Sequence, residues 1–236
     1  MIRADTRGRL CAGDLHLVML LLSRGSAHRR AALERKLALE GPDPLLDTPE
    51  LLERLLAVRT VLVPSEPLFL YVLVRHTLRR AGVDDRELAD YLAALVIDFG
   101  RRDRASRVDW NDDEQHRYLV DILADLEASD GARRFKVMAH LGNYALWLAG
   151  LFPDYIAARR LRKGGPDLPY YDALGRRGFG LASDHALADR YGLGDVFRVA
   201  AERFPSVRGA LNGMSDRVFF PHHMSPDRIL RDLGAH

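Results

Sequence analysis

Two histidines, an asparagine and two tyrosines are the residues of this chain whose types and spacing best suit chemistry. In the segment Arg133–Leu151, His140, Tyr144, Trp147 and Leu151 recur at i, i+4, i+7 and i+11, which places them on one helical face. Met138, Gly142, Ala145, Ala149 and Phe152 take the opposite face, so this helix is apolar all round, the pattern of a buried central element. His140 and Asn143 then sit in or near a core. Each needs a hydrogen-bond partner there, because an unpaired buried polar group costs about 1–3 kcal/mol. A second segment, Pro169–Tyr191, holds Gly175, Gly178 and Gly180. Interior glycines cost a helix about 1 kcal/mol each relative to alanine, so their presence predicts the close approach of another element. Tyr171, Leu174, Gly178, Leu181, Ala182 and His185 share one face of that segment. If the two small-residue stripes meet, His140, Asn143, Tyr144, Tyr171 and His185 gather into a polar pocket. Such a pocket suits a small ligand or an anion or, less readily, a metal held by the two histidines. The competing account makes the same residues satisfied core groups that pin helix register, which is the usual fate of buried polar side chains.

A second set of candidates is cationic. The 35 basic residues include only three lysines, Lys36, Lys136 and Lys163, which leaves 32 arginines, a bias that a GC-rich genome explains simply. Arginines cluster at 79–80, 101–107, 133–134, 159–163 (with Lys163) and 176–177. Arg101, Arg102, Arg104, Arg176 and Arg177 are the candidates for contact with an anion or an acidic partner, since a guanidinium offers a rigid fork of donors. Most clusters fall at the ends of expected helices, where cations suit the negative pole of the dipole. That placement weakens a nucleic-acid reading, which needs the clusters to converge in space and predicts steep salt dependence.

Motifs with stricter spacing are missing. Gly175-Arg-Arg-Gly178-Phe-Gly180 resembles a phosphate loop only superficially, since no strand precedes it and the glycine spacing is wrong. The chain has no Glu-x-x-His, so a di-iron carboxylate bundle is excluded. Neither a nucleophile elbow nor a zincin motif occurs. Cys11 is the sole cysteine, which excludes an internal disulfide and a cysteine-based zinc site, and no motif surrounds it that would make it catalytic. Asp112 and His116, and Asp98 and Arg101, read as ordinary local pairs on helix surfaces. The histidines of Pro221-His222-His223-Met224 and His236 belong to a tail that is expected to be mobile. No catalytic residue, metal site or cofactor is assigned.

The elements that must position these residues are all helical. The chain has 236 residues, 47% apolar and 29% charged, with a formal net charge of +2, a balance that excludes disordered and fibrous classes. Proline and glycine recur at intervals suited to helix–turn–helix connections. The clearest helix is Asp85–Phe99, capped by Asp84 with Glu87 at the third position and striped by Leu88, Tyr91, Leu92, Leu95, Val96 and Phe99. Asp112–Glu127 follows, with Asn111, Asp112 and Asp113 as caps. Upstream, helices are expected over Leu15–Leu22, Ala31–Leu39, Glu50–Val63 (Thr48 cap, Pro49 first, Leu62 in its stripe) and Leu68–Ala81. The last of these is chosen over a buried strand because no partner strand is evident. Downstream, helices are expected over Asp154–Arg162, Val196–Phe204 and Ser206–Phe220, with a last turn opening at Ser225–Pro226. The expected fold is therefore all-α, a multi-helix bundle of about ten helices with no sheet. Residues 1–63 are expected to form an N-terminal helical segment, either part of a single all-α domain or a subdomain beside its core, with 64–221 the main helical domain and 222–236 the tail.

Leu15–Leu22 and Leu68–Val74 are the most apolar windows, and both fall well short of the roughly 20 residues that span a bilayer. The arginines ahead of Leu15 imitate a signal peptide, but Asp14, His16 and Arg24 break that pattern, so a cytoplasmic protein is expected. The stretch Leu119–Pro153, including His-Leu-Gly-Asn-Tyr-Ala-Leu-Trp-Leu-Ala-Gly-Leu-Phe-Pro, resembles a group of bacterial all-helical proteins of unknown function. Tyr170-Tyr171-Asp-Ala-Leu-Gly and Phe204-Pro fit the same pattern, which implies a helical fold and no particular activity. The leading functional expectation is an interaction module or adaptor without catalysis, binding another protein or a second copy of itself. The alternatives are a small ligand held between helices 133–151 and 169–191, and nucleic acid held by the arginines.

Overall fold

The computed structural model describes residues 1–58, 63–101, 103–223, 225 and 228, so Leu62, Arg102, Met224, Pro226 and His236 lie outside the described residues. Among the described residues there are thirteen α-helices and no strand. The first four are α1 (Ala12–Ser23), α2 (Ala27–Glu40), α3 (Asp43–Leu46) and α4 (Glu50–Ala57). The next five are α5 (Glu66–Arg80), α6 (Arg86–Phe99), α7 (Leu119–Ala128), α8 (Gly131–Leu151) and α9 (Pro153–Lys163). The last four are α10 (Leu168–Ser183), α11 (Ala186–Arg190), α12 (Gly194–Glu202) and α13 (Phe204–Met214), the last running into a π turn over Ser215–Phe219. No helix among them is long and apolar enough to cross a membrane.

Local signals explain most boundaries. Ser65 accepts a hydrogen bond from the Leu68 amide and Pro67 lies in the first turn, so the apolar run of α5 starts as a helix and not as a strand. Asp85 caps α6 by accepting from the Leu88 amide; the expected cap, Asp84, binds Arg75 instead. The expected helix over 112–127 begins only at Leu119. Asp112 looks like a cap, but its carboxylate accepts the Asp109 amide and the Arg133 guanidinium, which holds 112–118 outside any helix. Accordingly, Asp112 and His116 are not partners on a helical turn; His116 pairs with Asp125 at 3.1 Å. Thr48 does not cap α4 either, because its hydroxyl donates back to the Pro44 carbonyl. The expected helix over 169–191 breaks after Ser183, where Asp184 and His185 separate α10 from α11.

Helix α8 is the hub, packing on α6, α7, α9, α10 and α13, while α6 lies against α5, α8 and α12. The stripe read for α6 understates its burial: every residue from Leu88 to Phe99 is buried, because neighbours cover all its sides. The tightest contact joins α8 to α10. A Cβ added at Gly178 would lie 2.5 Å from the Gly142 nitrogen and 2.9 Å from the Met138 carbonyl oxygen. A Cβ at Gly142 would lie 2.7 Å from the Phe179 ring, and one at Gly175 would overlap the Phe204 ring. Phe179 stacks on Phe197 at 5.7 Å, and Tyr91 meets Phe197 edge-on at 5.5 Å, so the seam opens directly into an aromatic core.

The N-terminal helices are joined to this core by charge as well as by apolar contact. Asp47, after α3, receives Arg75 at 2.7 Å and Arg86 at 2.7 Å, and Arg75 also bonds Asp84. Burial alone would raise the Asp47 pKa, but the hydrogen bonds from Arg75 and Arg86 outweigh it and hold the carboxyl at about 2. The Thr6 hydroxyl and the Arg7 amide both bind Asp90 of α6. At the other end, Ser225 donates to Asp154 at 2.8 Å and accepts from the Arg228 amide, the capped turn expected there.

Two stability predictions follow from these contacts. Gly178→Ala, and more severely Gly178→Leu, should lower stability by about 2–3 kcal/mol or more through overpacking against backbone. Gly180→Ala has nothing within 4 Å of its new methyl and should be neutral or stabilising by up to about 1 kcal/mol. Urea melts of the variants decide this, and near-wild-type stability of Gly178→Ala would disprove the close seam. Asp47→Ala should cost about 3 kcal/mol because it strips a partner from the buried Arg75 guanidinium. Asp195→Ala, which removes only a surface pair with Arg198, should change stability by less than about 1 kcal/mol in the same assay.

Candidate functional site

The five polar residues singled out on α8 and the 169–191 segment do not form one pocket: His140 meets Tyr144 and Tyr144 lies within electrostatic reach of Tyr171, but Asn143 and His185 bond elsewhere. Asn143 accepts a hydrogen bond from the Tyr91 hydroxyl at 2.8 Å inside the core. His140 is buried against Phe99 and Tyr144, and its Nε2 has no hydrogen-bond partner among the described residues. His185 instead caps α11, accepting the Leu187 amide at Nδ1, and packs on Phe135. The seam that was to hold a pocket between α8 and α10 is filled at its centre by the Gly142–Gly178 contact. Tyr144 donates to the Arg117 carbonyl at 2.7 Å, and Tyr171 lies buried near the start of α10.

The cationic candidates also diverge. Arg104 turns inward: it is 2% exposed, with its guanidinium 5.6 Å from the Phe99 ring centre and 5.3 Å from that of Trp110. Arg101 stays exposed beside Trp110 and reaches Asp98 at 3.8 Å. Arg176 and Arg177 are exposed on α10 and form no ion pair with a described residue, while Arg102 lies outside the described residues.

What the fold does assemble is a cleft of about 260 Å³ lined by Tyr118, Tyr155, Ala158, Arg159, Arg162 and Lys163. Tyr155, Ala158, Arg159 and Arg162 fall at i, i+3, i+4 and i+7, one face of α9. Tyr118 arrives from the start of α7, where the Asp121 carboxylate accepts its amide at 3.1 Å. The Arg159 guanidinium lies 4.6 Å from the Tyr118 ring centre, a cation–π contact. Its stem is braced by the turn after α9, since a Cβ at Gly165 would lie 3.2 Å from Arg159 Cγ. Arg159, Arg162 and Lys163 form no ion pair with a described residue, whereas Arg160, pointing elsewhere on the same helix, reaches Asp167 at 3.8 Å.

Tyr144 and Tyr171 lie within electrostatic reach of Arg159 and Tyr155, so two of the five sequence candidates border this cleft. Burial pushes the Tyr144 phenol up to about 12 and raises that of Tyr171, so both are neutral at physiological pH. No carboxylate lines the cleft, and its field is positive. It can hold an anion and lay a flat group on tyrosine; it presents no nucleophile paired with a base. Among the described residues no three His, Cys, Asp or Glu side chains gather as metal ligands would. The sequence marked residues 159–163 as a cluster but missed Tyr118 and Tyr155. The Tyr155–Arg159–Arg162 spacing was the available signal, and Tyr118 joins only through the tertiary fold.

Comparison with known proteins returns no match: no family model, no curated protein and no solved structure is significantly similar to this chain.

Burial, followed by the positive charge of Arg104, lowers the His140 pKa to about 3. An unfolded histidine titrates near 6.5, so between those values the unfolded chain takes up a proton that the folded chain refuses. Stability should therefore fall as pH drops below about 6.5, by up to about 1.4 kcal/mol per pH unit. His76, also lowered by burial, adds to the slope. Urea midpoints measured from pH 7.5 to 5 should show this decline, and His140→Leu should flatten it. Identical slopes for the variant and the parent would refute the assignment.

Proposed function

We propose that the protein is a cytoplasmic binding module that recognises another protein by taking an acidic segment into the Tyr118–Arg159 cleft. The observation that carries this reading is the set of three cations, without ion pairs among the described residues, gathered around two exposed tyrosines. Arginines that pack beside carboxylates elsewhere in the chain are matched, although Arg176 and Arg177 on α10 are not. Arg133 holds Asp112 and Asp125 at 2.6 and 2.5 Å, and Arg208 holds Asp172 at 2.7 Å. Tyrosine and arginine are also the residue types that dominate binding energy at protein interfaces. The small-ligand alternative moves from the α8–α10 seam, which is closed at its centre, to this same cleft. The nucleic-acid alternative is disfavoured because Arg104 and Arg133 are engaged internally and contribute little to a continuous basic face.

A peptide of alternating glutamate and tyrosine, titrated calorimetrically at low salt, tests the reading. Binding should weaken as salt rises, because the attraction is between exposed charges. Arg159→Ala with Lys163→Ala should weaken it about tenfold or more, the loss expected for hydrogen bonds to charged groups. Absence of binding, or binding indifferent to the double substitution, would overturn the proposal.

A further inference from the structure

We infer that the group anchored in this cleft is a phosphomonoester carried on a planar ring, an inference that rests on the cleft being the binding site. Three cations surround a space lined by no carboxylate, so one bound carboxylate would leave most of the local charge unmatched. A phosphomonoester carries about −1.5 to −2 charge and three acceptor oxygens at neutral pH, which matches the cations more closely. The donors suit it: the guanidiniums of Arg159 and Arg162 present planar forks and Lys163 a mobile ammonium. Two of these three side chains are long and exposed, while Arg159 is half-buried and fixed between Tyr118 and Gly165. It therefore offers a preset donor at the inner end of the cleft.

The aromatic lining argues for the ring. Tyr118 and Tyr155 are 48% and 52% exposed, large apolar surfaces left open beside the cations. A flat group stacked on either covers that surface and brings its own phosphate within reach of Arg162 and Lys163 on the same helical face. The cleft's roughly 260 Å³ accommodates a phenyl phosphate-sized group. The neighbouring phenols of Tyr144 and Tyr171 stay neutral, so they add no charge that repels the anion. The acids near the lining residues in the chain are engaged elsewhere: Asp154 accepts from the Ser225 hydroxyl, Asp121 from the Tyr118 amide, and Asp167 reaches Arg160 and the Tyr170 amide.

Calorimetric titration of the full chain with phenyl phosphate, inorganic phosphate and benzoate tests this. Phenyl phosphate should bind at least tenfold more tightly than either of the others, and Arg162→Ala with Lys163→Ala should remove most of that affinity. Tyr155→Ala, which removes a ring that holds none of the three cations, should lower affinity for phenyl phosphate several-fold while leaving that for inorganic phosphate unchanged, a split that general loss of structure would not produce. A phosphotyrosine peptide and adenosine monophosphate then identify the source of the ring, and preference for either supports the inference. Phenyl phosphate binding no better than benzoate or inorganic phosphate overturns it. If the glutamate–tyrosine peptide still binds in that case, the acidic-segment reading survives; if nothing binds, both fall.

Discussion

The backbone contact between Gly142 and Gly178 is the constraint on which the rest of the arrangement depends. Two helices approach this closely only where neither carries a side chain, and here the Gly178 position faces the Gly142 nitrogen and the Met138 carbonyl directly. With that distance fixed, Phe179 must lie on Gly142 and Phe204 under Gly175, and Phe179 meets both Phe204 and Phe197 of α12. Placement of α12 and α13 is thus a consequence of the seam. So is that of α9, which is the chain between α8 and α10 and whose two ends are fixed when they close. Tyr171 lies two helical turns before Gly178 on the same face, so it is carried to the end of the seam, where it comes within electrostatic reach of Arg159. Glycines that are costly in an isolated helix here set the position of the cleft.

Arginine, the commonest charge in the chain, is used in three physically different ways. Arg75 is buried and matched by Asp47 and Asp84, so its charge is neutralised within the fold and ties α5 to the turn after α3. Arg104 is buried between the Phe99 and Trp110 rings with its Nη1 on the Arg107 carbonyl, and burial lowers its pKa more than the charges of Asp98 and Asp109 raise it. Arg159, Arg162 and Lys163 stay at the surface without ion pairs. Arg176 and Arg177 on α10 share this third use, the one that leaves charge open to solvent. The abundance of arginine therefore says little about function until each side chain is assigned to one of these environments.

Much of this was legible in the chain, and what was not has identifiable causes. The apolar faces and glycines of α8 and α10 announced the seam because close packing leaves a direct mark on residue size. Ser65 with Pro67 announced the start of α5 for the same kind of local reason. Asp112 and Asp113 misled because an acidic residue before an apolar run looks alike whether its carboxylate caps a helix or binds a distant arginine, and Arg133 is far along the sequence. His185 misled because angular periodicity assumes an unbroken helix. Neither Asp184 nor His185 is a strong breaker, so the division between α10 and α11 leaves no trace in composition. Tyr118 was invisible as a site residue because its partner, Arg159, lies two helices later.

The cations on α9 make a final point about what the fold tolerates. Arg159 and Arg162 are three residues apart and Arg159 and Lys163 four, spacings at which like charges on a helix repel by a few tenths of a kcal/mol. The negative pole at the end of α9 offsets part of that repulsion for the last residues. Arg160 has its own relief in Asp167. Arg159 has no carboxylate, and its guanidinium is instead held against the electron-rich face of Tyr118. An aromatic ring stabilises a cation without neutralising it, which leaves the full charge for an incoming anion. Replacing Tyr118 with an acid would pair Arg159 and weaken the field, with Arg162 and Lys163 left to sustain the rest. Arg104 is paired with rings inside the core and Arg159 with a ring at the surface, so the same contact buries one charge and leaves the other partly open to solvent.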